Sequence, residues 1–265
     1  MTREVPHRVA YVAFETTASP ALTVAGKLRL PVEGPVPGPA VVICHGSDGV
    51  DGRGEFHAWA LNEAGIATLE IDMWAARGVA RGAAARPGSP IETVADAFAA
   101  LSFLTRQPEI DPFRIGVMGF SWGGVVSLLS ATRAVSEAYR GAGPVFAAHV
   151  AHYPVCWAYG VVPGLSLVDR TGAPILIQTG EADAYDTPGA GERLASRLRA
   201  DGGAGAIDHH TYEHATHGFD RDLPTQVIND PFAHEGRGGP VTMAFHPNAA
   251  AQARTAAVAF LSTRL

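Results

Sequence analysis

Ser121 lies in the pentad Gly119-Phe120-Ser121-Trp122-Gly123. An apolar run over residues 114–119 leads into it, and helical spacing begins at Gly123. G-x-S-x-G between a strand and a helix is the pattern of a serine lifted onto a sharp turn. Such a turn holds strained backbone, and side chains flanking it would collide with the neighbouring strand and helix, so glycine is required on both sides. The helix N-terminus then faces the place where negative charge develops during attack on a carbonyl. A structural alternative is that the glycines only permit close packing and Ser121 caps the helix.

A serine hydroxyl attacks poorly until a base takes its proton, and the base needs a third group to fix its tautomer and stabilise its charge. Two loops after apolar runs can supply them: residues 180–188, with Glu181, Asp183 and Asp186, and residues 213–219, with His214 and His217. The order Ser121, Asp183, His217 is the order of nucleophile, acid and base in α/β-hydrolases. Glu181 and Asp186 compete with Asp183 as loop charges or helix caps. His209, His210 and His214 compete with His217, which lies past its strand and precedes the flexible Gly218. The i, i+4 spacing of His210 and His214 is one that metal ligands use on a helix. Residues 208–212 read as strand instead, and no carboxylate or cysteine set completes a site, so no metal is expected.

Acyl transfer also needs donors for an oxyanion. The backbone N–H of Trp122 is one, and the N–H of Ser47 in His45-Gly46-Ser47-Asp48-Gly49, after the run 40–44, is the other. The alternative there is an ordinary turn with Asp48 and Asp51 solvated. Trp74, Trp157, Tyr159 and Tyr185 fall in loops at strand ends, where they either line a pocket or close the core.

These residues need a frame that gathers them at one end. Runs at 40–44, 66–71, 114–119 and 145–152 are short and apolar, the pattern of strands buried on both faces, and 174–179 and 206–212 complete the series. Segments 55–64, 91–105, 123–134, 191–200 and 248–261 have helical spacing, the second opened by Ser89-Pro90 as cap and first position. Segments 9–16 and 22–30 alternate and read as a hairpin at a sheet edge. The expected fold class is α/β: a mostly parallel central sheet with helices on both faces and an N-terminal antiparallel hairpin, forming one domain over residues 1–265. Sites in such sheets collect at the carboxyl ends of the strands. Residues 78–88 read as a surface loop, and 221–247 as a long connection of the kind that carries function or lacks order.

With 265 residues, 47% of them hydrophobic, the chain can bury a sizeable core. A formal charge of -6 without Lys/Arg runs argues against nucleic acid and anionic membrane surfaces as partners. No signal-like segment opens it and no apolar stretch reaches spanning length, so the expectation is a cytoplasmic protein. Cys44 and Cys156 match no disulfide framework or zinc pattern and read as buried small hydrophobes. The composition assigns no oligomeric state.

Taken together, the His45-Gly46-Ser47 loop, the Ser121 turn, Gly180 to Asp183 and His217-Gly218-Phe219-Asp220 resemble the dienelactone hydrolase family of α/β-hydrolases, from about Val9 to Leu265. The resemblance implies a lightly capped hydrolase of small-molecule esters or lactones, with Ser121, Asp183 and His217 as its triad and no metal or organic cofactor. It departs from the namesake enzymes by carrying Ser121 where they have cysteine, and Gly46 where they have a glutamate. Their carboxylate-binding arginines have counterparts in Arg221, four residues after His217, and Arg77, one residue out of step; either is otherwise a surface charge. A peptidase or amide hydrolase on the same triad is the alternative activity, and a non-catalytic binding scaffold the alternative class.

Overall fold

The computed structural model describes residues 7–17, 20–80, 86–202 and 205–265. β1 (His7–Glu15) and β2 (Thr23–Pro31) pair antiparallel as the expected edge hairpin, and β2 joins the body of the sheet antiparallel to β4 (Ala67–Asp72). The remaining strands run parallel: β3 (Gly38–Cys44), β5 (Ile110–Phe120), β6 (His149–His152), β7 (Ile175–Gly180) and β8 (Ile207–Tyr212). The order across the eight strands is β1-β2-β4-β3-β5-β6-β7-β8.

Successive side chains of a strand point to opposite faces, so a strand buried on both sides is apolar throughout. β3 shows this directly. Val41 and Ile43 pack with α1 (Gly52–Glu63) and α7 (Pro247–Arg264). Ala40, Val42 and Cys44 pack with α2 (Val94–Leu104) and α3 (Trp122–Leu129) on the other face, where α5 (Ala190–Ala200) continues the same core over β7 and β8. Burying each such Val, Ile or Leu contributes roughly 1.5–3 kcal/mol before entropy is counted. Both cysteines are buried and free, and burial raises their thiol pKa values. No helix among the described residues is long and apolar enough to cross a membrane.

Four expectations change. Segment 123–134 is two helices: Ser130 and Thr132 hydroxyls donate to the carbonyls of Ser127 and Leu129, Thr132 turns extended, and the chain restarts as α4 (Arg133–Tyr139). Such back-bonding competes with the helical ladder. The strand expected at 145–152 is confined to β6, while the helix expected at 91–105 opens with a 3-10 turn, Pro90–Thr93, capped by Ser89 and Glu92. Residues 221–247 are ordered: β9 (Gln226–Asp230) and β10 (Gly239–Met243) form a hairpin joined by the turn α6 (Ala233–Gly236), and Ala233 and Val241 pack on Tyr185.

Burial lowers the imidazole pKa of His45 and His149 to about 4 and of His152 to about 3. Their folded values lie below the unfolded one, so the unfolded chain binds more protons between about 4 and 6.5, and stability is lost as pH falls through that window. Glu70 and Asp186, pushed up by burial to about 7 and about 6, act in the opposite sense and soften the slope. Below the usual carboxylate range burial would favour protonated Asp51 and Asp220 too, but Arg53 and His57 respectively hold them charged. Stability from these two is lost on further acidification. The melting temperature is therefore expected to fall gently from pH 7 to about 4.5 and steeply below it. Calorimetric scans at constant ionic strength check this, and a maximum near pH 4 would contradict it.

Candidate active site

Ser121 stands between β5 and α3 with φ 49° and ψ -107°, a left-handed backbone for a residue with a side chain. Its flanking glycines are needed for close approach. A Cβ on Gly119 would lie 2.1 Å from the Gly123 carbonyl, and one on Gly123 would lie 2.1 Å from the Cys44 carbonyl oxygen. Ser121 makes no side-chain cap to α3. Its hydroxyl instead lies 2.8 Å from His217 Nε2, while His217 Nδ1 lies 2.8 Å from Asp183 Oδ2. A carboxylate only accepts, so Nδ1 carries the proton and Nε2 is left to accept from the serine.

The loops bearing the acid and the histidine are locked together. Ala182 N–H donates to Ala215 O at 2.9 Å, and a Cβ on Gly180 would lie 2.2 Å from that same oxygen. Asp183 Oδ1 accepts from Tyr185 N–H at 2.9 Å, which turns Oδ2 towards His217. The competing acids are used elsewhere. Glu181 pairs with exposed His214, and Asp186 accepts from the N–H groups of Cys156 and Trp157. His209 bonds Glu192 and Thr179, and His210 is exposed on strand β8.

His217 is held between two rings. Tyr185 lies at 4.1 Å and Tyr153 at 4.8 Å, edge-on. The Tyr153 phenol donates to buried Asp220, which also meets His57 Nε2 at 3.1 Å. His57, His152 and Asp220 bring ligand-type atoms within 4.8 Å of one another, the one such trio among the described residues. Asp220 is already satisfied by His57 and Tyr153, with Arg53 beside them, so these groups serve as the support under Tyr153.

Two clefts meet at Ser121. The larger, about 500 Å³ and open to solvent, is lined by Val125, Ala158, Val162 and Leu165, with Arg86 and Phe232 on the hairpin side. The other, about 400 Å³, runs past His217 to Asp48 and Arg221. Ser47 and Tyr185 border both, and Trp122 borders the first.

A sequence profile described as the Dienelactone hydrolase family matches residues 25–265. The chain belongs to that family. Membership supports a hydrolase. Two uncharacterised proteins of Mycobacterium tuberculosis, from strains CDC 1551 / Oshkosh and ATCC 25618 / H37Rv, are each 29% identical over 168 residues, 60% of this chain. The match spans 57% of the length of those relatives. Among solved structures, the dienelactone hydrolase-like promiscuous phosphotriesterase P91 from metagenomic libraries is 21% identical, covers 97% of this chain and 98% of its own, and gives a TM-score of 0.67. Esterase 2 of Thermogutta terrifontis, phosphorylated by paraoxon, is 16% identical over 96% of this chain and 94% of its own, at 0.66. At these identities the likeness is one of fold, the α/β-hydrolase fold.

The space beside Gly46 is taken by a side chain of α1. A Cβ there would lie 3.0 Å from Arg53 Nη2, so the Arg53 guanidinium takes up the room that a glutamate at 46 would need.

Several expected site residues are elsewhere. Arg77 is not at the clefts: it is clasped by Asp96 at 2.6 and 3.0 Å and by the carbonyls of Met73 and Glu92, so it fastens its own loop. Trp74 is buried and donates its indole N–H to Ser47 O at 3.0 Å, bracing the loop rather than lining the cleft. Tyr159 is core, its hydroxyl donating to Pro154 O. Trp157 packs beneath Gly236. Arg221 does border the second cleft, and Tyr185 borders both.

Arg86, Tyr153, Asp220, Asp230 and Phe232 were not foreseen. Arg86 falls in the stretch read as a surface loop, of which residues 81–85 lie outside the described residues. The only sequence signals were Asp220 directly after His217-Gly218-Phe219, and Pro231-Phe232 within the long connection.

Proposed function

We propose that this protein hydrolyses carboxylic esters or lactones through an acyl-enzyme on Ser121. The observation that carries the reading is the continuous hydrogen-bonded line Ser121–His217–Asp183, with both links at 2.8 Å, beneath a strained turn. In the first step Ser121 Oγ attacks the carbonyl carbon as its proton passes to His217 Nε2, and Asp183 stabilises the resulting imidazolium. The N–H groups of Ser47 and Trp122 hold the oxyanion. Collapse expels the alcohol, which takes the proton from His217. Water then repeats the sequence and frees the acid.

Because a structural neighbour is an esterase phosphorylated by paraoxon, the same reagent tests this chain. Paraoxon is expected to block turnover of 4-nitrophenyl acetate in proportion to one phosphoryl adduct, found by peptide mass spectrometry on Ser121. An adduct elsewhere, or unchanged turnover in the fully modified protein, would exclude the assignment. Running a 4-nitroanilide beside the ester separates an esterase from an amide hydrolase.

A further inference from the structure

We infer that the substrate is an uncharged ester with an apolar acyl group, and that Asp230 enforces this specificity by neutralising Arg86 within the cleft. The inference rests on the ester-hydrolase reading and narrows it.

Among the described residues, every guanidinium that borders the clefts already has an internal carboxylate. Arg86 donates to Ser47 Oγ at 2.8 Å and pairs with Asp230 at 3.2 Å. Arg221 pairs with Asp48 at 2.8 Å and approaches Asp51 at 3.6 Å. Arg53 grips Asp51 through Nη2 at 2.7 Å and Nε at 2.9 Å. Asp48, Asp51 and Asp230 thus match the three cations, and Asp183 and Asp220 add negative charge directly behind Ser121 and His217. A site built for a substrate carboxylate presents an open guanidinium fork. Here an incoming carboxylate would have to break an existing pair and lose its water in an excess of negative charge.

The Arg86 pair resists opening. Its side chain is 11% exposed and that of Asp230 only 1%. The guanidinium carbon lies 5.6 Å from the Trp122 ring centre and 5.3 Å from that of Phe232, both within cation–π range. Asp230 is anchored in turn by Phe232 N–H, which donates to its Oδ1 at 2.8 Å. Beyond this neutral clasp the cleft wall is Val125, Ala158, Val162 and Leu165, which rewards an alkyl or aryl acyl chain and gives no polar partner to an anionic one.

The test compares 4-nitrophenyl butyrate with 4-nitrophenyl hemisuccinate, in which a carboxylate replaces the terminal methyl. In the wild-type protein kcat/KM for the hemisuccinate should be at least about tenfold lower, a difference of about 1.4 kcal/mol. Asp230→Asn keeps an oxygen for Phe232 N–H but frees Arg86, and should shrink that ratio at least about fivefold by raising turnover of the anion. Raising salt from about 20 to about 500 mM should increase kcat/KM for the hemisuccinate alone, because screening weakens repulsion. Equal or preferred turnover of the hemisuccinate, or its decline with salt, would overturn the inference whether or not the variant folds. A folded Asp230→Asn protein with an unmoved ratio would overturn the role of Asp230. If neither ester were cleaved and Ser121 resisted paraoxon, the ester-hydrolase reading itself would fall, taking this inference with it.

Discussion

Ser121→Ala is expected to lower kcat/KM for 4-nitrophenyl esters by about 10⁴- to 10⁶-fold, the range seen when the nucleophile of a serine triad is removed. The size follows from the way the site is built. His217 and Asp183 have no other acceptor of their chemistry: Nδ1 is committed to Asp183 and Nε2 faces the serine oxygen at 2.8 Å. Without that oxygen the histidine can at best activate water, and only oxyanion stabilisation and substrate binding remain. The fold should be kept. The turn is held by Ser121 N–H donating to His152 O and by Val125 N–H donating to Ser121 O, both at 2.9 Å, and neither uses the side chain. Alanine inherits the same φ of 49° and the same strain, so the melting temperature should move by no more than a few degrees. The measurement is initial rates alongside a thermal scan on the same preparation. Activity within tenfold of wild type would remove Ser121 from the mechanism, and a collapsed melting transition would show that its hydroxyl is structural.

The parts of this site that were legible in the sequence are those fixed by local chain geometry. A serine flanked by glycines between an apolar run and a helical one has few conformations open to it, and the structure shows the reason in the close contacts of Gly119 and Gly123. The buried parallel strands β3, β4 and β7 were legible for the same kind of reason, because burial on both faces leaves no alternation to misread. Asp183 and His217 could be ranked above their neighbours by position after a strand, but only three-dimensional contacts separate Asp183 from Asp186. Asp183 is buried and Asp186 half-buried, and what distinguishes their roles is which donors each accepts.

Long-range pairing was not legible. Nothing near Arg77 in the chain announces that Asp96, on α2, will claim it, and nothing near Arg86 points to Asp230 on β9, 144 residues away. A charge in a loop reads the same whether it waits for a ligand or is already neutralised. Aromatic residues at strand ends have the same ambiguity: Tyr185 reaches His217, whereas Tyr159 points into the core and Trp74 braces a carbonyl. The hairpin β9–β10 escaped because its strands are short and its turn takes two successive left-handed residues, His234 and Glu235, neither of which is glycine.

Gly123→Ala should be among the most damaging single methyls in the described structure. The added Cβ would lie 2.1 Å from Cys44 O and 2.7 Å from His45 O, contacts that no real Cβ sustains, and both oxygens belong to backbone. A side chain could swing aside; the end of β3 cannot, because Cys44 is paired to Ile71 on one side and Gly119 on the other. Relief therefore requires α3 to move away from β3, at an expected cost of about 3 kcal/mol or more, worth roughly 6–12 °C in melting temperature for a chain of this size. That displacement also separates the two loops bearing Ser47 and Trp122. Losing one oxyanion donor costs about 10²- to 10³-fold in rate, so the protein that remains folded should lose activity out of proportion to its stability. Gly52→Ala gives the contrast, since nothing lies within 4 Å of a Cβ at that position, at the start of α1. It should leave both melting temperature and turnover close to wild type. If Gly123→Ala behaved like Gly52→Ala, the close packing of the serine turn against β3 would be refuted, and with it the spacing of the donors on which the proposed oxyanion site depends.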